Sequence, residues 1–195
     1  VEKEERIYRA RVHRIHFTEM LGESSSIETG DKEQFLLVMY LFDETMLTKY
    51  RIENQEMQMV PALVYIDNYD EVLDSVEEVK QSLLVALVDR KVNKFFSNVD
   101  GLVKKTEKDK YFVVFQHKYL AAMEEEKFSL LEEVKTIKVG NEMSVTLSMG
   151  IGYVGNDYTK NYEQSRMAID LALGRGGDQV VVKTTDRISY FGGSN

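Results

Sequence analysis

The 195-residue sequence contains no cysteine and a single proline. Without cysteine there is neither a disulfide nor a thiolate metal site, and the absence fits a reducing compartment. Extended disorder is also excluded, because 43% of the residues are hydrophobic and 30% charged, enough apolar material for a packed core. The chain has no basic excess: Lys plus Arg number 25 and Asp plus Glu 33, a net charge of −8. An acidic chain is a poor general partner for nucleic acid or an anionic membrane. No apolar run approaches the roughly 20 residues that span a bilayer. No signal-peptide pattern opens the chain, which begins in charged sequence without methionine. It reads as a segment of a longer cytoplasmic protein, long enough for one ordinary domain and a smaller attachment.

What is present falls into two parts. Tyr8 to Val12 alternates as a half-buried strand with basic residues on its wet face. Gly22 to Gly30 is polar and turn-rich, a loop. Phe35 to Phe42 is an apolar run, a second and more buried strand, so residues 7–42 form an antiparallel hairpin. Asp43 to Met57 has a helical pattern with Asp43 as N-cap. The rest reads as one α/β unit. Val60 to Ile66 is a buried strand with Pro61 near its start. Val76 to Phe96 is a helix burying Leu83, Leu84, Leu87, Val88, Val92 and Phe95. Leu102–Lys105 and Tyr111–Phe115 are strands around a polar turn, and Lys118 to Ile137 is a helix. Met143 to Met149 alternates as a strand. A helix over Asn161–Leu173, a strand over Gln179–Lys183 and a short strand over Ile188–Phe191 complete the chain. The order β-α-β-β-α-β, then α-β, is a ferredoxin-like α/β (α+β) core with an added unit.

Three groups of residues could carry chemistry. Asp67-Asn68-Tyr69-Asp70 follows an apolar strand, where carboxylates commonly face a ligand crevice. Asp67 and Asp70 could hold Mg²⁺ with phosphate oxygens; a capped turn with Asp70 or Asp74 starting a helix is the simpler account. Gly174-Arg175-Gly176-Gly177 either caps a helix or faces a phosphate with Arg175 as anion clamp. The order of elements and the missing Lys-Ser/Thr exclude a P-loop. His13, His16 and His117 read as surface or packing residues, since positions three apart on a strand face opposite sides. Met46, Met57 and Met59 read as core or coil packing.

Tyr65-Ile-Asp-Asn-Tyr-Asp-Glu71, Lys105-Thr-Glu-Lys-Asp-Lys-Tyr-Phe112 and Leu171-Ala-Leu-Gly-Arg-Gly-Gly-Asp-Gln-Val180 together resemble the GGDEF domain of diguanylate cyclases. More closely, they resemble the degenerate GGDEF domain of the GdpP/YybT family. Ser148-Met-Gly-Ile-Gly152 and Tyr190-Phe-Gly-Gly193 add to the likeness, which covers residues 58–195. Residues 1–57 resemble the last strands and linker helix of the PAS domain that precedes it in that family.

The resemblance implies a cytoplasmic portion of a bacterial membrane-anchored cyclic di-AMP phosphodiesterase. The transmembrane helices and the DHH/DHHA1 hydrolase pair would lie outside this sequence, which has no adjacent histidines for the DHH chemistry. Against the cyclase pattern, Tyr65 stands where a metal-binding Asp is expected. Glu107-Lys108-Asp109-Lys110-Tyr111 replaces Gly-Gly-Asp-Glu-Phe, with Lys110 in place of a metal-binding Glu. No cyclic di-GMP synthesis is expected. Asp67, Asn68, Asp109, Lys110 and Arg175 are the expected nucleotide-binding residues. Asp67 and Asp70 are the expected metal ligands, with Mg²⁺ or Mn²⁺ accompanying ATP or GTP and at most a weak ATPase activity. A ligand-free spacer is the alternative. A homodimer through a helical stem at residues 43–59 is expected, and haem is not, since the PAS-like portion lacks the helical half of a pocket.

Overall fold

The computed structural model describes residues 5–16 and 35–193, in two compact units, Val1–Glu53 and Asn54–Asn195. In the first unit, β1 (Tyr8–His16) pairs antiparallel with β2 (Phe35–Asp43), Tyr8 opposite Asp43 and His16 opposite Phe35. The loop predicted at Gly22–Gly30 lies outside the described residues. β2 is not buried as its composition suggested: Leu37, Met39 and Leu41 are each more than 60% exposed. A two-stranded ribbon has no second layer of its own to bury these side chains. Helix α1 (Thr45–Glu56) follows, and the Asp43 carboxylate accepts the Thr45 N–H at 3.0 Å. Met46, Met57 and Met59 are exposed rather than packed.

The second unit is a six-stranded sheet ordered β4-β5-β3-β6-β7-β8. Its strands are β3 (Met59–Ile66), β4 (Leu102–Glu107), β5 (Lys110–Gln116), β6 (Leu147–Tyr153), β7 (Gln179–Thr184) and β8 (Ile188–Gly192). The first four in space carry the ferredoxin-like arrangement, with β3 central and antiparallel to both neighbours. β7 joins β6 in parallel through a crossover helix, and β8 closes the edge antiparallel.

Each helix reads from its apolar spacing, and several boundaries differ from the sequence expectation. The segment after β3 first forms a short helix α2 (Tyr69–Asp74); the long helix α3 starts at Glu78 and ends at Ser97. α3 buries Leu84, Val88, Val92, Phe95 and Phe96, but Leu83 turns outward, 52% exposed. The single helix predicted over 118–137 is broken into α4 (Leu120–Glu125) and α5 (Leu130–Lys135). Lys127 and Phe128 both adopt positive φ there, +53°. Phe128 thereby enters the core, fully buried, with its ring edge-on to Phe191 at 5.1 Å. That burial offsets a backbone conformation that L residues avoid.

The strand predicted at Met143–Met149 begins later, at Leu147, and does not alternate. Ser148 is fully buried, as are Leu147, Met149 and Ile151. The cause is the pair Gly150 and Gly152. A Cβ on Gly150 would lie 2.3 Å from the Ile169 nitrogen, and one on Gly152 2.2 Å from the Asn161 oxygen. The strand face is bare backbone, so α6 (Tyr158–Gly174) rests directly on it. Asp157 caps α6 by accepting the Lys160 N–H at 3.0 Å. α2, α3, α4 and α5 pack with β3, β5, β6 and β7 in the main core. α6 covers the other face through Ala168, Ala172 and Val181.

Candidate functional site

Strand register fixes which residues share a face, because residues directly opposite point the same way. Tyr65 lies opposite Lys110 on one side and Ser148 on the other, and Leu63 lies opposite Phe112. This is the face on which α6 sits, and Asp67 continues it by period two past the end of β3.

The tight turn between β4 and β5 stands beside that strand end, since the Ile66 N–H donates to the Asp109 carbonyl at 2.8 Å. The hairpin is anchored from the main core. The buried Tyr111 hydroxyl donates to Asp89 on α3, and Lys105 reaches the same carboxylate at 2.9 Å. Burial is the main cause that pushes the Tyr111 phenol far above its ordinary range, with its bond to Asp89 next.

On this frame the expected site residues separate. Lys110 places its ammonium 5.3 Å from the centre of the Tyr65 ring and 2.8 Å from the Glu107 carboxylate, whose hydrogen bond holds its pKa above the usual lysine value. Burial raises the Tyr65 phenol in turn. Asp109 occupies the turn itself. Asp70 is exposed and takes both bonds from Lys108, at 2.6 and 2.9 Å.

Asn68 is held inward. Its amide donates to the Ser144 carbonyl at 2.9 Å, and its oxygen accepts the Thr146 N–H at 3.0 Å. It pins the segment leading into β6.

Asp67 is also held inward. Its Oδ2 accepts the Asp178 N–H at 2.8 Å, and its carboxylate packs against Gly177, where a Cβ would stand 2.8 Å away. Gly177 and Asp178 both have positive φ. The loop after α6 is thus folded around the Asp67 carboxylate. Asp67 Oδ1 and the Ser148 hydroxyl are both buried with no hydrogen bond, although the hydroxyl lies near enough to act on the charge. Burial raises the Asp67 carboxyl above its ordinary pKa, and the neighbouring Asp178 charge adds to that, against the lowering pull of the Ser148 hydroxyl and Asp178 N–H.

Arg175 stands elsewhere. Its Nε donates to Gln179 at 3.2 Å, and its guanidinium lies 4.6 Å over the Tyr190 ring, at the β7–β8 end of the sheet. Three strand positions separate β7 from β5, roughly 15 Å at ordinary strand spacing. The structure therefore gathers Tyr65, Asp109 and Lys110 at one place, ties Asp67 and Asn68 into loops beside it, and sets Arg175 apart.

The two expected metal ligands meet other partners here, with Asp67 Oδ1 alone left without one. Asp70 is paired with a lysine and Asp67 with a backbone N–H, and no group of three His, Asp or Glu side chains able to hold a metal occurs among the described residues. Lys110 adds positive charge where a cation would sit.

Phe112, Tyr162 and Lys104 line the same face and were not singled out from the sequence. Phe112 was within reach of period-two reasoning from Lys110; Lys104, across a turn and a bulge, and Tyr162 had no local signal.

A sheet of this order, with a carboxylate-bearing strand end beside a tight hairpin turn, defines a GGDEF-type domain. The GGEEF domain of a diguanylate cyclase from Vibrio cholerae superposes with a TM-score of 0.53 at 14% identity, over 70% of this chain and 89% of that one. DgcB of Caulobacter crescentus, solved with c-di-GMP, gives 0.53 at 13%, over 70% and 85%. These likenesses establish the fold. Residues 64–190 match the family described as cyclic-di-AMP phosphodiesterase GdpP-like, GGDEF domain, and the chain belongs to it. The cyclic-di-AMP phosphodiesterases GdpP of Geobacillus thermodenitrificans and PdeA of Listeria monocytogenes are each 31% identical over 157 residues. GdpP of Bacillus subtilis is 26% identical over 178 residues. The chain, matched over 80% of its own length, spans 24% of the first two relatives. None of its described helices is long and apolar enough to cross a membrane.

Proposed function

We propose that this domain is a regulatory nucleotide-binding module of a membrane-anchored cyclic-di-AMP phosphodiesterase, whose hydrolase part lies in sequence beyond this chain. It binds ATP or GTP at the Tyr65–Lys110 corner and biases the phosphodiesterase by binding better in one of two states. The observation that supports this is the pairing of an aromatic ring with a cation across β3 and β5, on an open sheet face. A ring and an ammonium favour a base and a phosphate; they do not activate a hydroxyl. Any Mg²⁺ or Mn²⁺ would travel on the nucleotide's phosphates. Turnover is slow or nil, because phosphoryl transfer needs in-line positioning and several charge contacts, and the corner supplies few.

One observation favours the alternative of a ligand-free relay. Lys105, Lys108 and Lys110 are each already paired, to Asp89, Asp70 and Glu107. A nucleotide must draw Lys110 away from Glu107. Exposed pairs of that kind are worth about 0–1 kcal/mol, so a polyphosphate can compete. Calorimetric titration with ATP and GTP, beside phosphate release with Mg²⁺ and with Mn²⁺, tests the reading. Saturable binding with little or no release supports it; the absence of binding leaves the relay.

A further inference from the structure

α6 covers only the β3, β6 and β7 part of its face, and the β4–β5 part is open. Register sets out what is displayed there. Lys104 lies opposite Phe112, which lies opposite Leu63; Leu102 lies opposite Val114; Lys110 lies opposite Tyr65. Tyr162 leans in from α6, its ring centre 6.0 Å from that of Phe112 at 72°. The Asp170 carboxylate on α6 also acts on the Tyr65 phenol, raising it. Tyr162 is 42% exposed and Leu102 73%. Lys104 is exposed and forms no ion pair with any described residue. Three aromatic rings therefore share one open patch with two lysines. Lys104 and Lys110 are diagonal neighbours across the β4–β5 pair, with Cβ atoms roughly 7–8 Å apart. From those positions the flexible lysine stems can reach adjacent phosphates of one polyphosphate chain.

We infer that this patch is a two-part nucleotide platform: the base stacks among Tyr65, Phe112 and Tyr162, and a di- or triphosphate runs between Lys110 and Lys104. The inference rests on the nucleotide-binding reading above and specifies its recognition. Stacking uses the π-face that every base has, so adenine and guanine nucleotides bind alike. Lysine ammonium groups hold phosphate oxygens as point charges, so binding needs no metal. Asp170 and Glu107, the acids that act on Tyr65, disfavour an acidic peptide there while leaving acceptors for amino groups on a base.

The test is calorimetric titration of the whole 195-residue chain with ATP, GTP, tripolyphosphate and adenosine in EDTA. Wild-type protein is expected to bind ATP and GTP within a few-fold of each other, and tripolyphosphate and adenosine more weakly. Tyr162→Ala, at a surface position of α6, is expected to weaken ATP by about tenfold, the lower range of a lost base stack, and to leave tripolyphosphate unchanged. Tyr162→Phe restores ATP binding. Lys104→Glu weakens ATP and tripolyphosphate together. Tripolyphosphate binding as tightly as ATP, or Tyr162→Ala binding ATP as wild type does, overturns the platform and leaves an anion site. If ATP itself does not bind, the platform and the nucleotide-binding reading fall together.

Discussion

Replacing Asp67 separates a structural carboxylate from a catalytic one. Its Oδ2 holds the Asp178 N–H, and that residue sits at φ +55°. Asp67→Ala leaves a part-buried N–H without its acceptor, at about 1–3 kcal/mol. A loss of about 2 kcal/mol lowers the melting temperature of a domain this size by roughly 4–8 °C. Asp67→Asn keeps an acceptor for Asp178 N–H, and its amino group meets the unpartnered Ser148 hydroxyl. It also removes a buried charge. The sign follows from linkage. Burial raises the folded-state pKa of Asp67 above its ordinary value, so the folded state holds the proton to higher pH than the unfolded chain does. The Asp67 contribution is most favourable below its unfolded pKa and is lost as pH rises through the folded value. The stability of Asp67→Asn relative to wild type should therefore improve from about pH 4 to neutrality. Thermal melts of the three proteins across that range measure it. An alanine variant as stable as wild type, or an asparagine variant whose relative stability falls with rising pH, refutes the reasoning.

Gly150→Ala forces a methyl to within 2.3 Å of helix backbone; the helix must retreat by roughly 1 Å, at about 1–3 kcal/mol or more, read as a lower midpoint in urea. Lys127→Gly should stabilise the domain by about 1 kcal/mol, because φ +53° costs a non-glycine residue that much, read in the same denaturant series. α1 exposes Met46, Leu47 and Tyr50 at 57%, 47% and 61%, a stripe at helical spacing. Sedimentation equilibrium should show a dimer that Tyr50→Glu weakens at least tenfold; a strict monomer removes the expected stem.

The sheet was legible because its strands are contiguous apolar runs between charged turns. Val60–Ile66 and Tyr111–Phe115 fall within one or two residues of their observed ends. What failed were positions where tertiary packing overrides local pattern. Ser144, Thr146 and Ser148 alternate with apolar residues, yet Ser148 is fully buried because two glycines let a helix descend onto the strand. Phe128 breaks an otherwise continuous helical pattern because the core gains its ring. At the site, the resemblance to the cyclase pattern put Tyr65 and Lys110 where acids are expected, and register then brought them face to face. Which way Asp67 and Arg175 turn depends on Asp178 and Tyr190, more than 10 residues away in each case. No spacing rule conveys that.

The most direct test of the central claim is ATP titration of wild type and Lys110→Glu, each with Mg²⁺ and with EDTA, while phosphate release is followed in the same samples. The account predicts binding in both media, its loss on charge reversal at Lys110, and no appreciable release. Binding that requires Mg²⁺, with release abolished by Asp67→Asn, would contradict it and restore a metal-dependent site at Asp67.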